Sequence, residues 1–231
     1  MQKAITDLDN RVTIRDIAKK AKVSPSTVSM VINGKPGVGE ETKYRVLKVI
    51  QSSNYRPNLV ARSLVKGRSH SIAFLIKSTK HPIFPEIAAG VDETLKEYGY
   101  SLSIISTYDD IELESQEIEN IKARGIDGIL TSAALVDDEN LVRLVSSGFP
   151  VVAVLRRTYN CDGLDYVLVD NAKGAYLAVE HLIRLGHQRI AIIKGPSNTS
   201  TGIERFDGAI KAFKAYGVSV SEELVDEGDY L

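Results

Sequence analysis

The chain is 231 residues long, 43% hydrophobic and almost neutral overall, with a formal net charge of −1. No apolar run approaches the roughly 20 residues that span a bilayer, and the opening stretch MQKAITDLDN lacks the apolar core of a secretory leader, which argues against a membrane protein and an exported one. A single cysteine, Cys161, excludes an internal disulfide, fits a reducing cytoplasm and reads as a loop thiol without a special role.

The near-neutral total hides a division. Residues 11–70 hold 13 Lys/Arg against 3 Asp/Glu, whereas residues 71–231 hold 15 against 25. A compact cationic segment is the electrostatic footprint of a nucleic-acid reader, because Lys and Arg displace condensed cations from phosphates. An acidic remainder keeps the rest of the chain off the polyanion.

Residues 1–11 are expected to form a disordered extension. In the next segment Ile14, Ile17, Ala18 and Ala21 fall at i, i+3, i+4 and i+7, one apolar stripe of a helix capped by Thr13. Lys22-Val23 make a tight turn. Ser24 then caps a second helix with Pro25 at its first position, where a missing N–H costs nothing. Val28, Val31 and Ile32 form its buried face, and Thr27, Ser29, Met30 and Asn33 lie toward the outside. A third helix spans residues 40–52, with Val46, Leu47 and Ile50 inward and Lys43, Arg45 and Lys48 outward. Glu40 and Glu41 sit in its first turn, where the helix dipole favours carboxylates. Three helices sharing Ile17, Val28, Val31, Leu47 and Ile50 make a helix-turn-helix domain over residues 12–55. Its second helix is placed to offer N-terminal residues to base edges in the major groove. The pattern by itself also suits any small three-helix bundle.

Residues 56–68 open with Pro57 in an N1 setting and pass Gly67 in a C′ setting. About eight helical residues are marginal alone in water, so this hinge should order only when docked. From Ser71 onward the pattern alternates. Apolar runs at residues 72–76, 102–106, 128–130, 151–155, 166–169 and 190–193 read as strands buried on both faces. Amphipathic stretches at 84–98, 111–124, 139–147, 172–185 and 203–216 read as helices between them. Such alternation implies a parallel sheet with right-handed crossovers, and ligands belong in the loops at the carboxyl ends of its strands. The sequence contains no G-x-G-x-x-G after the first strand, no P-loop and no G-x-S-x-G. His70, His81, His181 and His187 lack metal-ligand spacing, and His187 reads as part of a helix end. No enzyme, metal or cofactor is expected.

The run VTIRDIAKKAKVSPSTVSMVIN over residues 12–33, followed by EETKYRVLKVI and NYRPNLVARSL, resembles the DNA-binding headpiece of the LacI/GalR repressors. The resemblance extends through VDNAKGAYLAVEHLIRLGHQRIAIIKGP, residues 169–196. It implies that Pro25, Ser26 and Met30 select bases, while Thr13, Ser24, Thr27, Ser29 and Asn33 set the helix on phosphates. Local capping competes with DNA contact for each hydroxyl, most of all for Ser24. Many members carry arginine in place of Met30, and methionine cannot make a bidentate contact to guanine, so the operator preference should differ there. By the same resemblance the hinge helix enters the minor groove, Leu64 wedges between base pairs and Ala61 packs beside it. The alternative is that Leu64 begins the core of the next domain. Val65 replaces a residue that is basic in some members, which removes one minor-groove contact.

For the acidic body the resemblance implies two lobes with ligand in the cleft, as in periplasmic sugar-binding proteins. Phe84, in the loop after the first strand, either stacks on a ligand ring or packs at a helix start. The loop at 197–202, with Thr199 and Thr201, leads to Arg205, which matches a ligand-facing arginine able to chelate vicinal hydroxyls or a carboxylate. Asp170 caps the following helix first and contacts ligand second. Leu155 stands where many relatives place an aspartate, which puts a polar contact there in doubt. Family members also continue past Leu231, so a truncated chain with a three-stranded second lobe is expected.

The fold expected is therefore α/β: an all-α headpiece and hinge helix, then a two-lobed, doubly wound parallel-sheet core with an incomplete second lobe, divided at residues 70–160 and 161–231. The function expected is that of a cytoplasmic, homodimeric repressor. Its partners would be a palindromic double-stranded operator and a sugar or related metabolite, with no membrane. The alternatives are a fragment impaired in dimerisation and effector response, and a small-molecule-binding protein without a DNA function.

Overall fold

The computed structural model describes residues 12–53, 55 and 67–229. Ala61, Leu64 and the rest of the expected hinge helix lie outside the described residues, as does the expected N-terminal extension. The chain divides into two compact units, Met1–Gly67 and Arg68–Leu231.

In the first unit α1 spans Ile14–Ala21, α2 Pro25–Ile32 and α3 Glu40–Ser52. Thr13 opens α1 with a reciprocal capping box. Its Oγ1 accepts from the Asp16 N–H at 3.3 Å, and its own N–H donates to Asp16 Oδ2 at 2.8 Å. These bonds hold the Asp16 carboxyl below the usual carboxylate range. Lys22, at φ 54°, ends α1 in the left-handed region and turns the chain toward α2. Ile17, Ala18, Ala21, Val28, Val31 and Val46 form the buried core, with Val49 and Ile50 packed against it. Leu47, expected in that core, is 46% exposed. Successive helical residues are about 100° apart, so with Val46, Val49 and Ile50 facing inward Leu47 is carried round to the side. Its apolar character suggested the core, and its angular position overrides that.

The second unit is built on a five-stranded parallel sheet in the order β2-β1-β3-β4-β5. The strands are β1 Ser71–Ile76, β2 Ser101–Ser106, β3 Gly128–Thr131, β4 Val151–Val154 and β5 Asp165–Val167. The helices between them are α4 Ile83–Glu97, α5 Ile111–Ala123 and α6 Glu139–Ser146. Alternate residues of the central strand β1 enter different cores. Ala73 and Leu75 join Ile118, Ile121, Leu141 and Leu144 on one face, whereas Phe74 and Ile76 join Phe84 and Ala88 on the other. That two-sided cover explains why the strand reads as one unbroken apolar run. Cys161 lies in the loop between β4 and β5 and is buried in the first of these cores, and burial pushes its thiol up.

Beyond β5 come α7 Asn171–Arg184, β6 Ile192–Lys194, α8 Ser200–Ala215 and β7 Val225–Glu227. β6 and β7 pair in parallel as a separate two-stranded sheet. The strand at residues 165–167, expected to open a three-stranded second lobe, instead aligns Ala153 with Tyr166 and closes the first sheet. The Tyr166 hydroxyl donates to the Thr158 carbonyl at 3.1 Å, tying the β4–β5 connection to that sheet. The boundary between sheets therefore falls after β5 and not at residue 161. Helix α8 begins at Ser200, earlier than the expected residue 203, because Thr199 Oγ1 accepts from the Gly202 N–H at 3.2 Å and draws that glycine into the first turn.

Candidate nucleic-acid interface and ligand cavity

On the basic unit, three hydroxyls meet at the start of α2. Ser24 Oγ accepts from the Thr27 N–H at 3.1 Å and lies 2.6 Å from Ser26 Oγ and 2.8 Å from Thr27 Oγ1. Ser24, Pro25 and Ser26 are exposed, so the positive end of α2 is presented to solvent beside groups that reach phosphate oxygens or base edges. Thr13 is exposed on the neighbouring cap. Asn33 closes α2 by donating from Nδ2 to the Ser29 carbonyl at 2.8 Å and to Ser29 Oγ at 3.3 Å. Asn33 and Ser29 thus act as one paired group, half-buried at the helix end. Met30 is half-buried too, and a Cβ added at Gly37 would come within 3.2 Å of its Cε.

In the second unit a cavity of about 100 Å³ opens where the strands end. Lys77 and Ser78 follow β1, Ser132 follows β3, and Leu155 with Arg156 follows β4. His81, Ile83 and Phe84 come from the entry to α4, Val169 precedes α7, and Thr201 with Arg205 comes from the start of α8. This is the carboxyl-end position where parallel sheets bind ligands.

Behind the lining, one carboxylate serves two cations. Asp109 Oδ2 lies 3.2 Å from Lys77 Nζ and Oδ1 lies 2.8 Å from Arg156 Nη1. Lys77 Nζ also donates to the Asp229 carbonyl at 2.9 Å. On the other wall Arg157 pairs with Glu204 at 2.8 Å, and its N–H donates to Ser200 Oγ at 2.9 Å. The buried amide of Asn171 donates to Glu204 Oε2 at 3.1 Å and accepts from Arg205 Nε at 2.9 Å. Arg205 is thereby oriented by a neutral side chain and not by a carboxylate on that bond. Three non-glycine residues around this site hold positive φ: Tyr108 at 57°, Asp109 at 59° and Leu155 at 69°. Backbone strain of this kind costs about 1–3 kcal/mol per residue and concentrates at functional sites.

Residues 69–230 match the model of the periplasmic binding proteins and sugar binding domain of the LacI family, and residues 13–58 match that of the bacterial regulatory proteins of the lacI family. The chain belongs to the LacI family. It is 37% identical to the ribose operon repressor of Halalkalibacterium halodurans, over 85% of this chain and 58% of that one. It is 30% identical to the transcriptional regulator CelR in a cellobiose complex, covering 95% of this chain and 66% of that one, with a TM-score of 0.60. A lac repressor dimer bound to operator and the anti-inducer ONPF superposes with a TM-score of 0.82 over 96% of this chain and 66% of that one, and at 24% identity that likeness establishes the fold alone. The chain therefore spans less than two thirds of the length of these LacI-family relatives. No described helix is long and apolar enough to cross a membrane.

Of the effector residues expected for a LacI-family core, Phe84, Thr201 and Arg205 line this cavity, with Leu155 as part of its apolar wall. Phe84 is 6% exposed and packs with Phe74 and Ile76 at the start of α4 while also bordering the cavity. Thr199 and Asp170 do not line the cavity. Thr199 is fully buried as the cap of α8, and Asp170 is exposed as the cap of α7, accepting from the Lys173 N–H at 2.9 Å. Lys77, Ser78, Ser132 and Arg156 were not singled out from the sequence. Each stands within two residues of a strand's carboxyl end, so the strand-end rule applied to every strand would have found them.

Proposed function

We propose that this LacI-family chain is a sequence-specific DNA-binding repressor rather than an enzyme, acting in the bacterial cytoplasm. In this reading residues 12–55 read the operator and residues 56–68 act as a hinge in the minor groove. The remainder binds a small polyhydroxy effector, a sugar or related metabolite. Ser26, Pro25 and Met30 face bases, with Thr13, Ser24, Thr27, Ser29 and Asn33 on phosphates and Ala61 and Leu64 in the minor groove. Phe84, Thr201 and Arg205 hold the effector, and Thr199 and Asp170 support the helices that carry it. Two copies bind the half-sites of a palindrome. Effector binding shifts DNA affinity by a coupling of about 1–3 kcal/mol, typical of such linkage.

The observation that carries this reading is the exposed, hydroxyl-lined start of α2 within residues 11–70, which hold 13 basic against 3 acidic residues, in a chain whose other unit holds a strand-end cavity. The names of the relatives, a ribose operon repressor and a regulator in complex with cellobiose, support the same pairing of DNA and sugar. Selection of bound duplexes from a random pool tests it. A palindromic motif is expected, and Met30→Arg is expected to change the preferred base at one position of each half-site. Failure to enrich any motif would overturn the reading, and an unchanged motif for the variant would remove Met30 from base recognition.

A further inference from the structure

We propose that the effector of this chain is an anion: a small polyhydroxy molecule carrying a phosphate or carboxylate group, seated against Lys77 and Arg156. The proposal rests on the reading of the cavity as the effector site and narrows its ligand class.

The charge balance at the cavity floor leads to it. Lys77 and Arg156 both line the cavity, with side chains 14% and 6% exposed, and both lean on the single carboxylate of Asp109, itself 14% exposed. Two cations on one anion leave a positive excess in a place with little water to screen it. Coulomb attraction is strongest in such surroundings, and an unpaired buried charge is costly unless a counter-charge arrives. Among the described residues that line the cavity there is no carboxylate. Among the described residues the Arg156 guanidinium uses only Nη1 in its bond to Asp109, leaving a planar fork suited to a phosphate or carboxylate edge.

The backbone agrees with the charges. Helices α4 and α8, of 15 and 16 residues, both begin at the cavity, with Phe84 and Thr201 from their first turns in its lining. Their positive ends add to the field of the side chains. The left-handed conformations of Tyr108, Asp109 and Leu155 set Asp109 beside Arg156 and turn the chain from β4 into Arg156. Strain spent on holding a like-charged pair around one carboxylate is explained by a ligand that completes the balance. A neutral sugar would leave the excess in place.

Thermal unfolding of the chain in chloride, phosphate, acetate and ribose, with the salts at matched ionic strength, tests the inference. Phosphate at tenfold over its apparent dissociation constant should raise the midpoint by about 3–5 °C over chloride. A larger rise with phosphate than with acetate assigns a phosphate ligand, and the reverse assigns a carboxylate. Lys77→Met leaves Asp109 and Arg156 as a neutral pair. It should unfold in chloride at the same temperature as the parent or higher, and lose the anion-dependent rise, so any binding of phosphate to the basic unit is subtracted by this variant. Asp109→Asn, whose amide side chain tolerates the left-handed backbone, should unfold earlier in chloride and show a larger anion-dependent rise. An anion effect no greater than that of ribose, or one that survives unchanged in Lys77→Met, overturns the proposal. Failure of the repressor reading would look different: no duplex enriched, with the anion effect intact.

Discussion

Glu114 lies on the same face of α5 as Ile118 and Ile121 and is 3% exposed. Its Oε2 accepts from Asn140 Nδ2 at 3.1 Å, and its Oε1 is buried without a hydrogen-bond partner. Burial first, and then the nearby Asp138 carboxylate, push its pKa up to about 7. Asp138 is raised as well, by its own burial, although its carboxylate caps α6 through the Leu141 N–H at 3.1 Å. A carboxyl whose pKa is higher folded than unfolded holds its proton longer in the folded chain. Stability is therefore greatest below about pH 4.5 for this group and falls as pH rises toward 7. Glu114→Gln should gain about 2–3 kcal/mol relative to the parent between pH 5 and pH 8, measured by urea unfolding at both values. A difference between variant and parent that does not change with pH would contradict the buried acid. Residues of this kind are hard to find in a sequence, because Glu114 reads as one more acid on an amphipathic helix and its burial depends on where α6 packs. Thr13 and Ser24 were legible because a cap is a local bond. Leu47 was misread because apolar character was weighed above helical angle.

Helices α7 and α8 touch through backbone. A Cβ on Gly208 would fall 2.0 Å from the Ala172 carbonyl oxygen and 2.8 Å from its Cα, so the helices meet there with no room for a methyl group. Val179, Ala209, Ala212 and Phe213 are buried around the same contact. Gly208→Ala should force the pair apart and cost about 2 kcal/mol, lowering the unfolding midpoint by about 4–8 °C. Gly90, within α4, has open space around it, and Gly90→Ala should stabilise by about 0.5–1 kcal/mol through lost backbone entropy in the unfolded chain. Equal effects from the two substitutions in a thermal melt would show that the close approach of α7 and α8 is not real. At this scale the strands and helices were legible from their apolar periods, with ends displaced by only a few residues. The sheet to which a strand belongs was not. The run 166–169 is equally apolar wherever it pairs, and the alignment of Tyr166 and Val167 with β4 depends on how the 155–164 connection runs, which no local period records.

Across the whole molecule, charge and fold divide at the same place. The unit ending at Gly67 contains the basic run, and the unit from Arg68 contains the acidic body with its parallel sheet and cavity. That split was legible from composition, because charge counting needs no geometry. The cavity's own charge was not, since it depends on Asp109 and Arg156 meeting from residues 47 positions apart. If the basic unit grips duplex phosphates, each neutralised phosphate contributes about −0.9 to the slope of log affinity against log salt. The most direct measurement is equilibrium binding of this chain to its selected duplex between 50 and 200 mM salt, beside a scrambled duplex. We expect affinity to fall by about 10³-fold or more across that range, with the selected duplex bound at least about 10³-fold more tightly than the scrambled one. Binding that is indifferent to salt, or equal for the two duplexes, would contradict a sequence-specific operator reader.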